Sequence, residues 1–135
     1  RTRLINFFML DEALYFVDLP GYGYSAAPAE ETLQWRALIE SYLRDTPNRK
    51  LVFLLVDSRR DATGDDIALL KWLRHFNVPV RIVAAKADQT SRNRMPFALK
   101  SMASLLNLEE PPIPFSSKSK EGILAIWKVI TQWVA

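Results

Sequence analysis

The chain has no cysteine among its 135 residues, and it has a single histidine, His75. The lack of cysteine excludes disulfide bonds and thiolate metal sites, and it fits a reducing compartment, so we expect a cytoplasmic protein. No apolar run reaches the roughly 18 residues that a membrane-spanning helix needs, and no signal peptide is visible. We therefore expect no membrane association.

The amino-acid composition is that of an ordinary globular protein. Apolar residues make up 49% and charged residues 24%, a balance that argues against disorder and predicts one domain over residues 1–135. The net charge of +3 allows an RNA or phosphate-rich partner. Scattered solvated lysines and arginines are the simpler explanation of that charge taken alone.

Hydrophobic periodicity predicts the element order β-β-α-β-α-β-α-β-α. Strand-like runs at residues 4–10 and 13–19 flank Asp11 and Glu12 and predict an antiparallel hairpin. Further strands are predicted at 50–57, 78–85 and 112–115, and helices at 30–44, from Thr63 to Phe76, from Ser91 onward and at 122–134. This alternation predicts an α/β fold with right-handed crossovers and a mostly parallel sheet that carries an antiparallel edge hairpin.

Apolar spacing also predicts which helix faces are buried. The residues expected to point inward on the last two helices are Phe97, Met102, Leu105, Leu106, Ile123, Ile126, Trp127, Ile130 and Trp133. Most of the aromatic residues, including all four tryptophans, are interpreted as packing residues, because no basic–aromatic interleaving typical of single-strand binders is visible in the chain. His75 falls late in a predicted helix, where it suits the helix dipole and has no catalytic role.

Polar clusters follow four predicted strands at residues 18–21, 57–60, 85–88 and 115–118. Ligands of open α/β sheets bind beyond the carboxyl ends of the strands, so these clusters are the candidate site. In the first cluster an apolar run ends in Asp18 and breaks at once into Pro20 and Gly21. This pattern delivers a carboxylate to a sheet edge and follows it with a backbone that can approach an anion closely.

Two of these clusters resemble the guanine-reading boxes of GTPases. Residues 85–88 resemble the Asn/Thr-Lys-x-Asp box, in which a carboxylate such as Asp88 accepts from two guanine N–H groups, a pair that adenine does not offer. The stem of Lys86 can lie along the base plane with its ammonium in water. Residues 116–118 resemble the Ser-Ala-Lys loop, where the Ser117 amide would meet the guanine carbonyl oxygen.

The segment from Asp18 to Gly21 resembles the Asp-x-x-Gly box that faces the third phosphate. The resemblance implies that Asp18 holds Mg²⁺ through water and that the Gly21 amide contacts the γ-phosphate. Thr2 stands where GTPases carry the switch threonine that ligates Mg²⁺ directly.

More specific motifs at residues 2–8, 16–24, 35–43, 54–59 and 115–117 extend through the whole chain. With them the chain resembles the EngB (YihA/YsxC) family of ribosome-biogenesis GTPases. The resemblance implies a Ras-like P-loop GTPase, a three-layer sandwich. It also implies a slow GTP switch in the cytoplasm that assists assembly of the large ribosomal subunit, through rRNA or ribosomal protein, and is needed for cell division and septation.

The implied cofactors are GTP or GDP and Mg²⁺. The residues that the resemblance assigns to the nucleotide are Arg1, Thr2, Arg3, Leu4, Asp18, Leu19, Pro20, Gly21, Ala85, Lys86, Ala87, Asp88, Phe115, Ser116 and Ser117. Thr2 and Asp18 are also the implied Mg²⁺ residues, and no catalytic residue is assigned.

The chain departs from the GTPase pattern in three places. It contains no Gly-x-x-x-x-Gly-Lys-Ser/Thr loop, so we expect the first strand, the P-loop and the first helix upstream of Arg1. Without the P-loop we expect weak nucleotide binding. Without that strand, open strand edges predict self-association or strand exchange of the 135 residues. Ala85 replaces the usual Asn or Thr, which puts the rigidity of the base site in doubt. Tyr22 replaces a water-orienting glutamine, so hydrolysis is expected to be slow.

Two other readings stay open at this point. The chain could be a nucleotide-independent α/β module that binds the ribosome or RNA, with Arg59, Arg60, Arg92 and Arg94 as candidate phosphate contacts, although solvated loop charges explain each of them more simply. It could also be an unrelated doubly wound protein, such as a flavodoxin-like domain. The pairing of Asp88 with residues 116–118 argues against that last reading.

Overall fold

A computed structural model describes residues 5–19, 29–45 and 47–135, with the side chains of 29–32 excepted. The strands are β1 (Asn6–Leu10), β2 (Leu14–Asp18), β3 (Val52–Asp57), β4 (Val80–Ala85) and β5 (Ile113–Pro114). The helices are α1 (Ala29–Asp45), α2 (Gly64–His75), α3 (Met95–Leu105) and α4 (Ile123–Val134), with a short 3-10 helix at Ala87–Gln89. The predicted element order is confirmed. The chain divides into two compact units between Asn48 and Arg49, and folding as a single domain stays a prediction.

The first unit contains the hairpin and α1. β1 and β2 pair antiparallel, with Asn6 opposite Asp18, and the turn places Asp11 and Glu12 at φ 50° and 55°. Two consecutive residues at positive φ give a turn whose twist matches that of the strands. On α1 the buried positions Ile39 and Leu43 are one helical turn apart.

The second unit is built on a parallel sheet. β4 lies in the middle, with β3 on one side and β5 on the other, and both pairs are parallel. Leu54 and Val56 of β3, and Ile82, Val83 and Ala84 of β4, are all at most 3% exposed. This apolar core fixes the strand ends, and the strand ends carry the polar loops.

Helix α2 begins where the sequence predicts. The Asp66 amide donates to the Thr63 hydroxyl at 3.3 Å, and the Thr63 amide donates to the Asp66 carboxylate at 2.8 Å. This reciprocal capping box satisfies two amides that a helix start leaves without partners. Asp66 is 1% exposed and also pairs with Arg60 at 3.1 Å.

The prediction for α3 is wrong in two respects. The helix begins at Met95, not at Ser91, whose hydroxyl instead accepts from the Arg94 amide at 3.3 Å in the preceding turn. Phe97 is 76% and Leu105 45% exposed, whereas Met102 is buried as predicted. At about 100° per residue, the face that Met102 shares with Leu106 lies roughly 160° from Phe97. Phe97 therefore points away from the core.

The last helix follows the prediction more closely. Ile130 is 6% exposed, as predicted, whereas the prediction that Trp127 points inward is wrong, since its side chain is 40% exposed. Trp127 lies about 80° around the helix from the face centred between Ile126 and Ile130, at the edge of that face. Within residues 5–19, 29–45 and 47–135, no helix has the length and apolar character needed to cross a membrane.

Candidate functional site

Hydrogen bonds tie together the loops that follow β3, β4 and β5. The Ser58 amide donates to the Ala85 carbonyl at 2.9 Å, and the Ala87 amide donates to the Phe115 carbonyl at 3.0 Å. The Phe115 amide in turn donates to the Ala84 carbonyl at 2.9 Å. Parallel strands end at one edge of a sheet, so these backbone contacts bring three of the four predicted polar clusters to one place.

The structure brings the two guanine-box loops into direct contact. The Ser116 hydroxyl donates to the Asp88 Oδ1 atom at 2.8 Å. Ser116 is completely buried, and its Oγ atom also accepts from the amides of Lys118 and Ser119 at 3.1 and 3.0 Å. With its oxygen held by two donors, the hydroxyl proton has one direction left, toward Asp88. Ser116 therefore orients the carboxylate.

This arrangement leaves a defined set of polar atoms facing solvent. Asp88 is exposed, and a carboxylate has about four acceptor positions, of which Ser116 occupies one. The amide of Ser117, one residue beyond Ser116, donates to no acceptor among residues 47–135. A two-oxygen acceptor beside a free N–H donor matches a ligand edge with two N–H donors and a carbonyl oxygen.

Lys86 occupies the turn between β4 and the 3-10 helix. Its backbone is left-handed, at φ 58° and ψ 40°, and this conformation turns the chain so that Ala87 is buried while Asp88 is exposed. The Lys86 ammonium lies 3.8 Å from the Asp57 Oδ2 atom. Lys86 is thus directed toward the end of β3, and its side chain remains largely exposed.

Asp57 is held mainly by Arg59. The Arg59 guanidinium donates to Oδ1 at 3.0 Å and to Oδ2 at 2.7 Å, and the Arg59 amide donates to Oδ1 at 2.9 Å. These hydrogen bonds, helped by the charges of Arg59 and Lys86 and opposed by partial burial, lower the pKa of Asp57 to about 2. The same carboxylate raises the pKa of Arg59. Arg59 also donates to Gln89 at 2.8 Å, so it links the β3 loop with the 3-10 helix.

The lowered pKa of Asp57 predicts a pH dependence of stability. A depressed carboxyl pKa stabilises the fold above the unfolded value of 3.8, and this contribution is lost as the pH falls toward about 2. We expect Asp57→Asn to lower the free energy of unfolding by about 1 kcal/mol at pH 7, since Arg59 is half exposed and solvent screens the pair. Denaturation series from pH 7 to pH 2 should show the difference from wild type shrinking below pH 4. A difference that stays constant to pH 2 would contradict the assignment.

Ser58 is the site residue that the sequence did not single out. It is 2% exposed, its hydroxyl donates to the Lys86 carbonyl at 3.1 Å, and it shares a 2.8 Å hydrogen bond with the Thr90 hydroxyl. Ser58 thereby fixes both ends of the turn that presents Asp88. Its place directly after Asp57 in a strand-end cluster was the only signal, and serine is common in such loops.

Replacing Ser58 by alanine is expected to loosen this turn. The Thr90 hydroxyl would lose its side-chain partner in a partly enclosed position, so we expect a loss of about 1–2 kcal/mol in the free energy of unfolding. Urea denaturation measures this loss, and Ser104→Ala on the exposed side of α3 is the matched control. Equal stability of the two variants would show that the Ser58 hydroxyl is not a structural tie.

The remaining predicted residues belong to the first unit or lie outside the described residues. Asp18 is the exposed last residue of β2, and Leu19 follows it directly. Arg1, Thr2, Arg3, Leu4, Pro20 and Gly21 lie outside the described residues. An exposed carboxylate suits Mg²⁺ held through water, as the resemblance implies for Asp18. No cluster of three or more His, Asp or Glu side chains that could enclose a metal occurs in the described part of the chain.

Solved structures with this fold identify its class. A crystal structure of a probable GTP-binding protein engB matches with a TM-score of 0.80 at 18% identity, covering 99% of this chain and 85% of that one. The crystal structure of Era in complex with MgGDPNP and nucleotides 1506-1542 of 16S ribosomal RNA matches with a TM-score of 0.67 at 16% identity, covering 95% and 43%. The chain has the Ras-like GTPase fold, as predicted.

Sequence similarity identifies the family. The chain is 43% identical over 136 residues to the probable GTP-binding protein EngB of Pelotomaculum thermopropionicum, a match that covers 99% of this chain and 69% of that protein. No protein-family model matches. This similarity shows that the chain belongs to the EngB family, and it confirms the resemblance found in the sequence.

Proposed function

We propose that this protein binds GTP and GDP and reads guanine with Asp88 and the Ser117 amide. The observation that carries the proposal is the 2.8 Å hydrogen bond from the buried Ser116 hydroxyl to Asp88. This hydrogen bond orients the Asp88 carboxylate in advance. It also joins the two loops, which would contact neighbouring atoms of a guanine base. Membership of a family whose members are named probable GTP-binding proteins supports it.

Selectivity for guanine follows from donor and acceptor positions. The Asp88 carboxylate would accept from the ring N–H and the exocyclic amine of guanine, and the Ser117 amide would donate to the carbonyl oxygen. Adenine presents an acceptor and an amine in the places of that N–H and that carbonyl. It would set a lone pair against a carboxylate and an N–H against an N–H, which disfavours binding. Lys86 would cover the base plane with its stem.

The phosphate end of the proposal rests on the family resemblance. Asp18 would hold Mg²⁺ through water, Thr2 would ligate it directly, and the Gly21 amide would meet the γ-phosphate. Bound Mg²⁺ would neutralise charge that develops on the phosphates. Tyr22 stands in the place of a water-orienting amide, so GTP hydrolysis by this chain is proposed to be slow.

We further propose the cellular role that the family resemblance implies. The protein would act in the cytoplasm as a nucleotide-dependent factor in assembly of the large ribosomal subunit, with a consequence for cell division and septation. Phe7, Phe8 and Met9 of the hairpin are each more than half exposed. Their exposure supports the additional expectation that the 135-residue chain self-associates.

Competition binding tests the nucleotide proposal. A fluorescent GTP analogue should be displaced by GTP and GDP from the full product of the gene, whereas a 100-fold excess of ATP should leave it bound. Equal displacement by ATP and GTP would overturn guanine recognition, and the absence of any nucleotide binding by the gene product would overturn the proposal as a whole.

A further inference from the structure

The exposed side of α3 combines an aromatic ring with basic side chains. Phe97 is 76% exposed, and Arg94 and Lys100 stand three residues before and after it, at the spacing of neighbours on a helix surface. Arg92 lies in the turn that leads into the helix. We call these four residues, Arg92, Arg94, Phe97 and Lys100, the α3 basic face.

The charge of this segment has one sign. From Gln89 to Leu108 the chain contains Arg92, Arg94 and Lys100 and no aspartate or glutamate. Within residues 47–135, none of the three basic side chains forms an ion pair. The other candidate arginines differ: Arg59 is bound to Asp57, and Arg60 is bound to Asp66.

Helix stability does not explain this arrangement. The N-terminus of a helix carries partial positive charge, so acidic residues are favourable there and arginines are not. Helix α3 has no acidic residue in its first turn, and its N-cap residue is Arg94, which makes no side-chain cap. Phe97 adds no burial to the core. The arginines oppose the helix dipole and the exposed ring contributes nothing to the core, so helix stability accounts for neither. Both suit contact with a polyanion that has flat apolar rings.

We propose that the α3 basic face binds single-stranded RNA. A base would stack on the Phe97 ring, and Arg92, Arg94 and Lys100 would contact phosphates on either side of it. Arginine and phenylalanine also occur at the centres of protein interfaces, so a protein partner is the alternative that the test below addresses. Three basic residues within five positions of Phe97, with no acidic residue in the segment, favour a polyanion. The inference rests on the proposed ribosomal role and names the surface and the chemistry of that contact.

The face is anchored to the candidate nucleotide site. The Ser101 hydroxyl donates to Asp61 at 2.9 Å and so ties α3 to the loop after β3. Thr90, which shares a hydrogen bond with Ser58, lies two residues before Arg92. RNA bound on this face would therefore contact the same continuous segment that presents Asp88, so bound nucleotide and bound RNA would be able to influence each other.

Fluorescence anisotropy with a labelled single-stranded RNA of about 12 nucleotides tests the proposal on the full gene product. We expect Phe97→Ala to weaken RNA binding about tenfold through lost stacking. The double variant Arg92→Gln with Arg94→Gln should reduce the slope of log affinity against log salt by about 1.4, since each lost phosphate contact contributes about 0.7. GTP binding should be unchanged in both, because neither variant alters a residue assigned to the nucleotide.

Matched controls distinguish RNA binding by this face from nonspecific attraction of RNA to exposed apolar or basic side chains elsewhere. Leu124→Ala removes another exposed apolar side chain, 85% exposed on α4, and the pair Lys71→Gln with Lys128→Gln removes two exposed charges from α2 and α4. Both controls should change RNA affinity less than twofold. Equal losses in the lysine and arginine pairs, or no RNA binding by the wild type, would overturn the proposal. So would variants that lose association with ribosomes but keep their RNA affinity, since that result indicates a protein partner.

The experiments test the nucleotide proposal and the RNA-binding proposal independently. A gene product that binds no GTP but loses RNA affinity on Phe97→Ala would overturn guanine recognition and support the α3 basic face. A product that discriminates GTP from ATP but binds RNA equally well with and without Phe97 would do the reverse.

Discussion

Replacing Asp88 by asparagine is expected to weaken GTP binding about 100-fold or more and to favour xanthosine triphosphate. The variant would lose two charge-assisted hydrogen bonds to guanine, each of which contributes on the order of 1.5–3 kcal/mol. Xanthine carries a carbonyl where guanine has its exocyclic amine, and an asparagine amide can donate to it. Competition of GTP and xanthosine triphosphate for the fluorescent site, measured on the full gene product, gives the ratio of the two affinities.

Two further variants make this test specific. Asp65→Asn removes an exposed carboxylate from the first turn of α2 and should leave nucleotide preference unchanged. Ser116→Ala keeps the Asp88 carboxylate but removes the hydroxyl that orients it, so GTP should bind about tenfold more weakly with no gain for xanthosine triphosphate. An Asp88→Asn protein that still prefers GTP would remove Asp88 from the base site.

Replacing Gly122 by alanine is expected to destabilise the protein by about 3 kcal/mol or more. Gly122 caps α4 at φ 87°, a left-handed conformation that costs an L-residue about 1–2 kcal/mol. An added Cβ atom would overlap the Pro114 carbonyl oxygen and lie 3.1 Å from the Phe115 Cα atom. Both neighbours are backbone, so relief requires movement of β5 or of the loop after it, with a further penalty of about 1–3 kcal/mol.

Thermal and urea unfolding measure this effect, and Gly64→Ala provides the control. Gly64 begins α2, and nothing lies within 4 Å of the place where its Cβ atom would be. Alanine there should be neutral or slightly stabilising, by up to about 1 kcal/mol. For a chain of this size, the loss at Gly122 corresponds to a fall in Tm of about 10 °C. Similar Tm values for the two variants would show that the close contact at Gly122 relaxes at little cost.

The substitution Gly122→Ala should also alter the proposed base site around Asp88 and Ser116. The Ser116 amide donates to the Glu121 carbonyl at 3.0 Å, so the loop that holds Ser116 and Ser117 closes directly before Gly122. A shift of Gly122 would displace the Ser116 hydroxyl from Asp88. We therefore expect Gly122→Ala to weaken GTP binding even at temperatures where the variant is folded, whereas Gly64→Ala should not.

The sequence by itself determined the order of the elements and the places where the polar clusters stand. The order of the elements could be predicted because strands and helices differ in hydrophobic period. The start of α2 could be predicted because its capping pair, Thr63 and Asp66, lies three residues apart in the chain. The boxes around Asp88 and Ser116 were likewise recognisable, because each is a short continuous motif. Family membership followed from the same motifs and was confirmed by the relatives.

Tertiary structure alone decided how those pieces meet. Ser58 contacts Lys86 and Thr90 from about 30 positions away, and no local pattern distinguishes that serine from one in an ordinary loop. The outward orientation of Phe97 depended on where α3 begins and on which of its sides is buried, and apolar character could not indicate either. Gly122 cannot be replaced by a larger residue without strain, because the Pro114 carbonyl oxygen of β5 occupies the place of a Cβ atom. This contact joins separate elements and exists only in the folded chain.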